Sequence, residues 1–259
     1  MRIVVPMKAV PDLVEEIELT DDGTDIDREY LKFVLNEWDD QALEEALLVK
    51  EASGGEVVAV ALADDPDIDQ ALYTAISKGA DSAVKLTGAS EPDTGTDTHT
   101  RAAAFAAYLK DNPADLVITG VQAPDDLDGQ LPSALAAHMD WPHASVVVSV
   151  ESAGEKVKVR QEFSGGRGAE LEMALPAVVG LQAARQSPRY APITKIRQAM
   201  QAGGLTETAV QPQTGENGIS VRRMYAPEST SHAEMLTGEP EDVAEKIIEL
   251  LRGRSLIKE

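Results

Sequence analysis

Cysteine is absent from the 259 residues, and disulfides, zinc–thiolate sites, iron–sulfur ligation and thiol nucleophiles are excluded with it. Aromatic residues are few: three Phe, two Trp and five Tyr. Basic residues are scarce as well, 23 Lys and Arg against 45 Asp and Glu, which leaves a net charge of −22. That balance argues against nucleic acid or an anionic membrane surface as a partner. No apolar run approaches the roughly 20 residues of a membrane-spanning helix, so no membrane insertion is expected. The opening MRIVVPMKAV is too short, and too soon followed by acidic residues, for a secretory signal. It reads as a first strand, and a cytoplasmic location is expected. The acidic excess is spread along the chain, as a well-solvated surface or an adaptation to salt would have it.

What is present is an alternation of short apolar runs with helical patterns, the signature of parallel βαβ units in a chain long enough for one large α/β domain. RIVVPM is a strand. Asp39 reads as the cap of a helix that carries Ala42, Leu43, Ala46 and Leu47 on one side, and EVVAVALA follows Gly54-Gly55 as a buried strand. Ile68 to Ser77 reads as a helix ending at Gly79, Ala83 to Leu86 as a strand, Thr98 to Leu109 as a helix and ADLVITG as another buried strand. Beyond Pro142 the alternation stops. ASVVVSVES and KVKVRQEF are close enough to form a hairpin, and ELEMALPAVVGLQ adds more strand. SPRYAPITKIRQAMQA turns helical after two Pro, and GLTETAVQPQTGENG reads as a loop or arm. The terminal EPEDVAEKIIELLRGR is an amphipathic helix whose stripe of Val243, Ile247, Ile248 and Leu251 must be buried on something.

The segment GVQAPDDLDGQLP, from Gly120 to Pro132, lies between a buried strand and a helix. In open parallel sheets ligands sit at such places, beyond the carboxyl ends of strands and against helix N-termini that attract anions. Gly120 and Gly129 let the backbone approach a ligand, Asp128 reads as an N-cap, and the amides of Gly129, Gln130 and Leu131 face a phosphate. Asp125 and Asp126 would repel that phosphate, so they fit ribose hydroxyls or turn geometry better. FSGGRGAE reads as a hairpin turn, because a phosphate loop should lead into a helix. The His residues at 99, 138, 143 and 232 show no metal-ligand spacing, and Trp38 and Trp141 read as core or interface anchors.

Several segments, in order, resemble the β subunit of electron transfer flavoprotein: VPMKAVPD, NEWDDQALEEALLVKE, ISKGADSAVKL, ADLVITGVQAPDDLDGQ with DWPHAS, and LPAVVGLQAARQSPRYAPITKIRQA. The resemblance runs nearly the full length. It implies a doubly wound parallel sheet of the adenine-nucleotide α-hydrolase-like type, with an added β-hairpin region and a protruding C-terminal arm. Residues 1–190 would form the nucleotide-binding domain, and residues 191–259 a partner-recognition segment, arm and C-terminal helix packing on an α subunit. It also implies an AMP cradled by the loop from Gly120 to Leu131. Ala123, Asp126, Gly129 and Gln130 match contact positions there, and Ala9, Asn36, Glu37, Trp38, Asp39 and Ala63 line the same pocket.

By the same resemblance, FAD is shared with an α subunit in a heterodimer. Electrons pass from flavin dehydrogenases, such as acyl-CoA dehydrogenases, to a membrane quinone oxidoreductase, and no bond-making step uses the side chains of this chain. Ile193, with Lys195 and Arg197 beside it, matches the anchor of a protruding docking segment. The chain departs from the family in Ser164-Gly165-Gly166-Arg167-Gly168, where an acidic-Gly-Gly turn is usual, in Gly129, where Asn is common, and in Leu131, where Thr is common. Electron-bifurcating members hold a second FAD in place of AMP, oxidise NADH, and carry Gly where Asp126 stands here, so Asp126 favours AMP. A stand-alone adenine-nucleotide-binding module of the stress-protein type is the third reading. The hairpin, the SPRYAPITK segment and the terminal helix argue against it.

Overall fold

A computed structural model of the chain describes residues 1–89, 97–126, 129–212, 221–226, 233 and 235–257. They form two units, Met1–Arg222 and Arg223–Glu259. In chain order the strands of the first unit are β1 (Arg2–Met7), β2 (Ala9–Pro11), β3 (Phe33–Leu35), β4 (Glu56–Leu62), β5 (Ser82–Thr87), β6 (Leu116–Gly120), β7 (His143–Ala153), β8 (Lys156–Phe163), β9 (Arg167–Ala174), β10 (Ala177–Leu181) and β11 (Leu205–Ala209). Its helices are α1 (Glu37–Ser53), α2 (Ile68–Lys78), α3 (Thr98–Asp111), α4 (Leu131–Met139) and α5 (Ile193–Ala202).

Nine strands make one sheet in the order β11-β5-β4-β1-β6-β10-β7-β8-β9, and β2 and β3 pair separately. The sheet is parallel from β11 to β7 and antiparallel through β8 and β9. It is therefore the mostly parallel α/β sheet with an added hairpin region that the sequence pattern predicts. The turn between β8 and β9 contains Gly165 and Gly166 at positive φ, so FSGGRGAE is a hairpin turn. Burial on both faces explains the continuous apolar strands. Ile3, Val5 and Met7 of β1 join one core with Leu43 and Leu47 of α1 and Leu72 of α2, and Val4 joins the other with Phe105 and Leu109 of α3 and Leu135 of α4. Trp141 packs against that second core, partly buried.

Two sequence expectations change. Asp39 does not cap α1: Asn36 holds the N-cap position, and Asp39 lies buried in the first turn with both oxygens bonded elsewhere. The start of GLTETAVQ is not a loop, because Leu205–Ala209 pairs in parallel with β5 at the sheet edge. Its alternating Thr and Glu lacked the apolar signal of a buried strand, since an edge strand keeps one side in water.

Helix α1 also anchors the irregular connector from β10 to α5. Gln41 accepts from the Ala184 amide at 3.0 Å, and Glu45 accepts from the Arg185 amide at 3.1 Å, Arg185 Nε at 2.7 Å and the Val150 amide at 2.7 Å. Glu44 accepts from the Arg189 amide at 2.9 Å and forks onto the Arg189 guanidinium, which also reaches Glu51 at 2.8 Å. Burial raises the pKa of Glu44, but the Arg189 side chain and amide more than offset that and hold it below the usual carboxylate range. Glu45, at 0% exposure, satisfies three donors.

The second unit contains α6 (Pro240–Gly253), preceded by Arg223, whose guanidinium lies 4.9 Å from the Tyr225 ring centroid. No residue of α6 is buried: Ile247 and Ile248 are exposed, and Val243 and Leu251 are partly buried. Among the described residues no helix is long and apolar enough to cross a membrane.

Replacing Glu45 by Leu strands the Val150 and Arg185 donors beneath α1. Each buried unsatisfied donor costs about 1–3 kcal/mol, so urea unfolding of Glu45→Leu should show a stability loss of roughly 2–4 kcal/mol. A loss below about 0.5 kcal/mol would mean that water replaces the carboxylate.

Candidate functional site

From β1 the chain moves to β4 and β5 on one side, then returns to place β6 on the other side of β1. The carboxyl ends of β1 and β6 are therefore a topological switch point, where an open parallel sheet leaves a crevice. A cleft lies there, with walls from Pro6, Met7 and Lys8 at the end of β1, from Gly120 to Ala123 at the end of β6, and from Phe105 of α3. Asp126, Gly129 and Leu131 carry it to the N-terminus of α4.

Asp39 holds this site together. Its Oδ2 accepts from the Lys8 amide at 2.9 Å and its Oδ1 from the Gly120 amide at 3.1 Å, so one carboxylate ties the ends of the two strands to the first turn of α1. Gly120 is required by this packing. A Cβ there would lie 2.5 Å from Asp39 Oδ1 and 2.8 Å from Trp38 Cβ. The close approach expected of Gly120 toward a ligand is thus an approach to α1. Burial raises the Asp39 carboxyl to about 7, with the Asn36 side chain, the Gly120 and Lys8 amides and the Lys8 charge pulling in the opposite direction.

Beside Asp39, the Asn36 side-chain NH₂ donates to the Gln122 carbonyl at 3.0 Å. Its Oδ1 is buried on the cleft wall and accepts no hydrogen bond among the described residues. An unused buried acceptor facing a cleft suits a ligand that brings a hydroxyl or amine donor. The loop after β6 is tight. Ala123 and Asp126 exchange both backbone bonds at 3.0 Å, and Asp126 accepts from the Thr98 hydroxyl. Gly129 sits at φ 63, with Val121 O 3.2 Å from where a Cβ would be, so only glycine is unstrained there.

Among the residues singled out from sequence, Asn36, Asp39, Gly120, Ala123, Asp126, Gly129 and Leu131 line the cleft. Ala9, Glu37, Trp38, Ala63 and Gln130 stand outside that lining: Ala9 pairs with Leu35 in the small sheet, Glu37 and Gln130 face solvent, Trp38 packs over Gly120, and the Ala63 amide bonds to the Leu86 carbonyl at 2.8 Å. The expected cap Asp128 lies outside the described residues, and Gln130 takes the N-cap position of α4 without a side-chain cap bond.

Lys8, Arg101 and Phe105 are among the cleft residues that were missed. Lys8 pairs with Asp125 at 2.7 Å across the mouth, Arg101 forks onto Asp65 at 2.7 and 2.8 Å, and Phe105 supplies an apolar wall. Burial works against the charge of Arg101, but Asp65 more than compensates and holds its pKa above the usual value. Arg101 at the head of the Ala-rich run of α3, and a lysine just after the first strand, were the available signals. Among the described residues no three acidic or His side chains converge as a metal site, and His232 lies outside them.

Ile193 begins α5 with 63% of its surface exposed, and Lys195 and Arg197 beside it are exposed as well.

Comparison with known proteins agrees with this architecture. The family described as "Electron transfer flavoprotein domain" matches residues 24–212. The chain is 33% identical to the electron transfer flavoprotein subunit beta of Methylophilus methylotrophus, over 97% of this chain and 98% of that one. It is 30% identical to that of Syntrophomonas wolfei, over 98% and 96%, and 26% identical to that of Bacillus subtilis, over 99% and 100%.

Because the Asp39 carboxyl is raised in the fold, the folded state binds the extra proton between about pH 4 and 7. Its contribution is whole below the unfolded pKa and is lost as pH rises through about 7. In Asp39→Asn that contribution to the pH slope of stability should vanish, and one of the two amides loses its acceptor at a cost of about 1–3 kcal/mol. Denaturation curves at pH 4 to 8 test both, and equal slopes in the two proteins would refute the first. Gly120→Ala should lower stability by more than about 2 kcal/mol by pushing α1 off the strand end, readable in the same assay.

Proposed function

Because the chain belongs to the electron transfer flavoprotein family and is similar to its β subunits almost end to end, we propose that it is the β subunit of a heterodimeric flavoprotein. In that role it binds AMP in the switch-point cleft and carries electrons between flavin dehydrogenases and a quinone oxidoreductase. The observation that supports AMP most directly is the cleft. It joins the N-terminus of α4, suited to a phosphate, to the unused acceptor of Asn36, suited to a ribose hydroxyl or the adenine amine.

The flavin supplies the redox chemistry when bound, and this chain supplies binding and orientation. Phe105 and Met7 give an apolar wall for a base, Asn36 reads a donor, and the first turn of α4 faces the phosphate. Asp125, held by Lys8, and Asp126, bonded to Thr98, keep their negative charge engaged at the loop. The apolar stripe of α6, which includes the exposed Ile247 and Ile248, is the surface expected to pack on the α subunit.

Co-expression with the α subunit, purification, denaturation and chromatography of the released nucleotides tests the reading. One FAD and one AMP per heterodimer are expected. Two FAD and no AMP would replace it with the bifurcating alternative, and a stable complex-free chain carrying an adenine nucleotide would replace it with the stand-alone module. Ile193→Ala in the heterodimer should slow electron exchange with a dehydrogenase at least fivefold while leaving the flavin content unchanged. Unchanged exchange would remove Ile193 from docking.

A further inference from the structure

In a chain of net charge −22, residues 185–204 contain four basic side chains, Arg185, Arg189, Lys195 and Arg197, and no acidic one. Within this stretch Tyr190 is 81% and Ile193 63% exposed, and Met200 is also exposed, while Ala191 and Ala199 are buried beneath. Arg185 and Arg189 are paired with glutamates of α1, so the exposed apolar side chains are accompanied by the exposed cations Lys195 and Arg197. The kind of partner this surface fits is an apolar recess edged with carboxylates, since rim charges of opposite sign steer and orient association.

From Gln182 to Pro192 the chain has no helix or strand to hold this surface in place. Its order comes from one face of α1, four residues before Ile193. There Arg189 donates its amide to Glu44 at 2.9 Å and two guanidinium nitrogens at 2.8 to 3.1 Å. The Glu44 side chain is 4% exposed and that of Arg189 33%. A largely buried fork of this kind resists salt and sets direction as well as distance, in contrast to the exposed branch to Glu51. Tyr190 and Ile193 follow at once, and α5 starts from Pro192, whose carbonyl accepts from the Lys195 and Ile196 amides.

We propose that Glu44 and Arg189 are positioning residues for docking: their fork holds Tyr190 and Ile193 in the orientation that an acid-rimmed apolar recess receives. The proposal rests on the docking reading given above and adds to it that the segment is preset by α1 before any partner arrives. The cost of ordering the segment is then met on folding, which favours association. The docking surface should be salt-sensitive through its exposed Lys195 and Arg197, and the fork beneath it much less so.

The test uses the purified heterodimer with a flavin dehydrogenase from which the wild type accepts electrons. Arg189→Lys keeps the charge but loses the fork, and Glu44→Gln keeps the shape but loses the charge. Half-saturation by dehydrogenase, limiting rate, FAD content, melting temperature and amide hydrogen exchange over residues 184–193 are measured for each. The expected result is faster amide exchange in that segment, half-saturation raised about five- to tenfold, a limiting rate within about twofold, and unchanged FAD content. Arg189→Lys and Glu44→Gln should both show this split between half-saturation and rate. Faster amide exchange with unchanged half-saturation, in a background where Ile193→Ala still weakens association, would overturn the positioning role and leave the docking reading standing. Loss of FAD and melting temperature in step with half-saturation would mean that the fork only supports the fold. If Ile193→Ala itself has no effect, the docking reading falls, and the proposal with it.

Discussion

A single buried carboxylate, Asp39, on which the amides of Lys8 and Gly120 converge, is the constraint from which the rest of the molecule can be traced. Two parallel strands that diverge at a switch point leave unpaired amides at their carboxyl ends, and a buried amide without a partner is costly. One side chain from the first turn of α1 satisfies both. The consequence for sequence is immediate: the helix must approach β6 so closely that position 120 has no room for a Cβ. The consequence for the site is that both walls of the cleft share one rigid support.

The same helix continues from that support to the surface segment before α5. Its N-terminal turn carries Asn36 and Asp39 in the cleft, and its middle carries Gln41, Glu44 and Glu45 under the connector. Composition alone counts these acids as part of a solvated negative surface. Packing shows that Asp39, Glu44, Glu45 and Asp65 are buried and hold backbone amides or arginines. A share of the acidic excess is therefore internal wiring. It lets a chain rich in carboxylates keep a coil segment ordered without disulfides, which the lack of cysteine rules out.

The cleft combines features that a small ligand requires and that the fold itself leaves unfilled: an apolar wall, a helix N-terminus and one idle acceptor. Its two cations are already engaged, Lys8 by Asp125 and Arg101 by Asp65. A ligand entering there meets a nearly neutral lining, in which the α4 terminus and the Asn36 acceptor are left to select. That is consistent with binding that stabilises and orients a ligand.

Much of this was legible in the chain, because its signals are local. Periodicity and turn residues predict the strands RIVVPM, EVVAVALA and ADLVITG, the helices between them, the β7–β8 hairpin and the glycine-rich turn after it, and each depends only on neighbouring residues. The loop from Gly120 to Leu131 could be marked for the same reason, as a strand end followed by a helix start. Other features had no local signal. The polar LTETA becomes a strand only because the edge of β5 has free amides and carbonyls to offer. Asp39 reads as a cap until β1 and β6 bring it two donors, and Lys8, Arg101 and Phe105 enter the cleft from elements far apart in the chain. The sequence by itself determined which segments are strand or helix and which faces are apolar, since those follow from the spacing of side chains along one backbone. Only the tertiary structure decided which buried polar groups meet, because a hydrogen bond between residues 39 and 120 exists only when the sheet has brought their elements together.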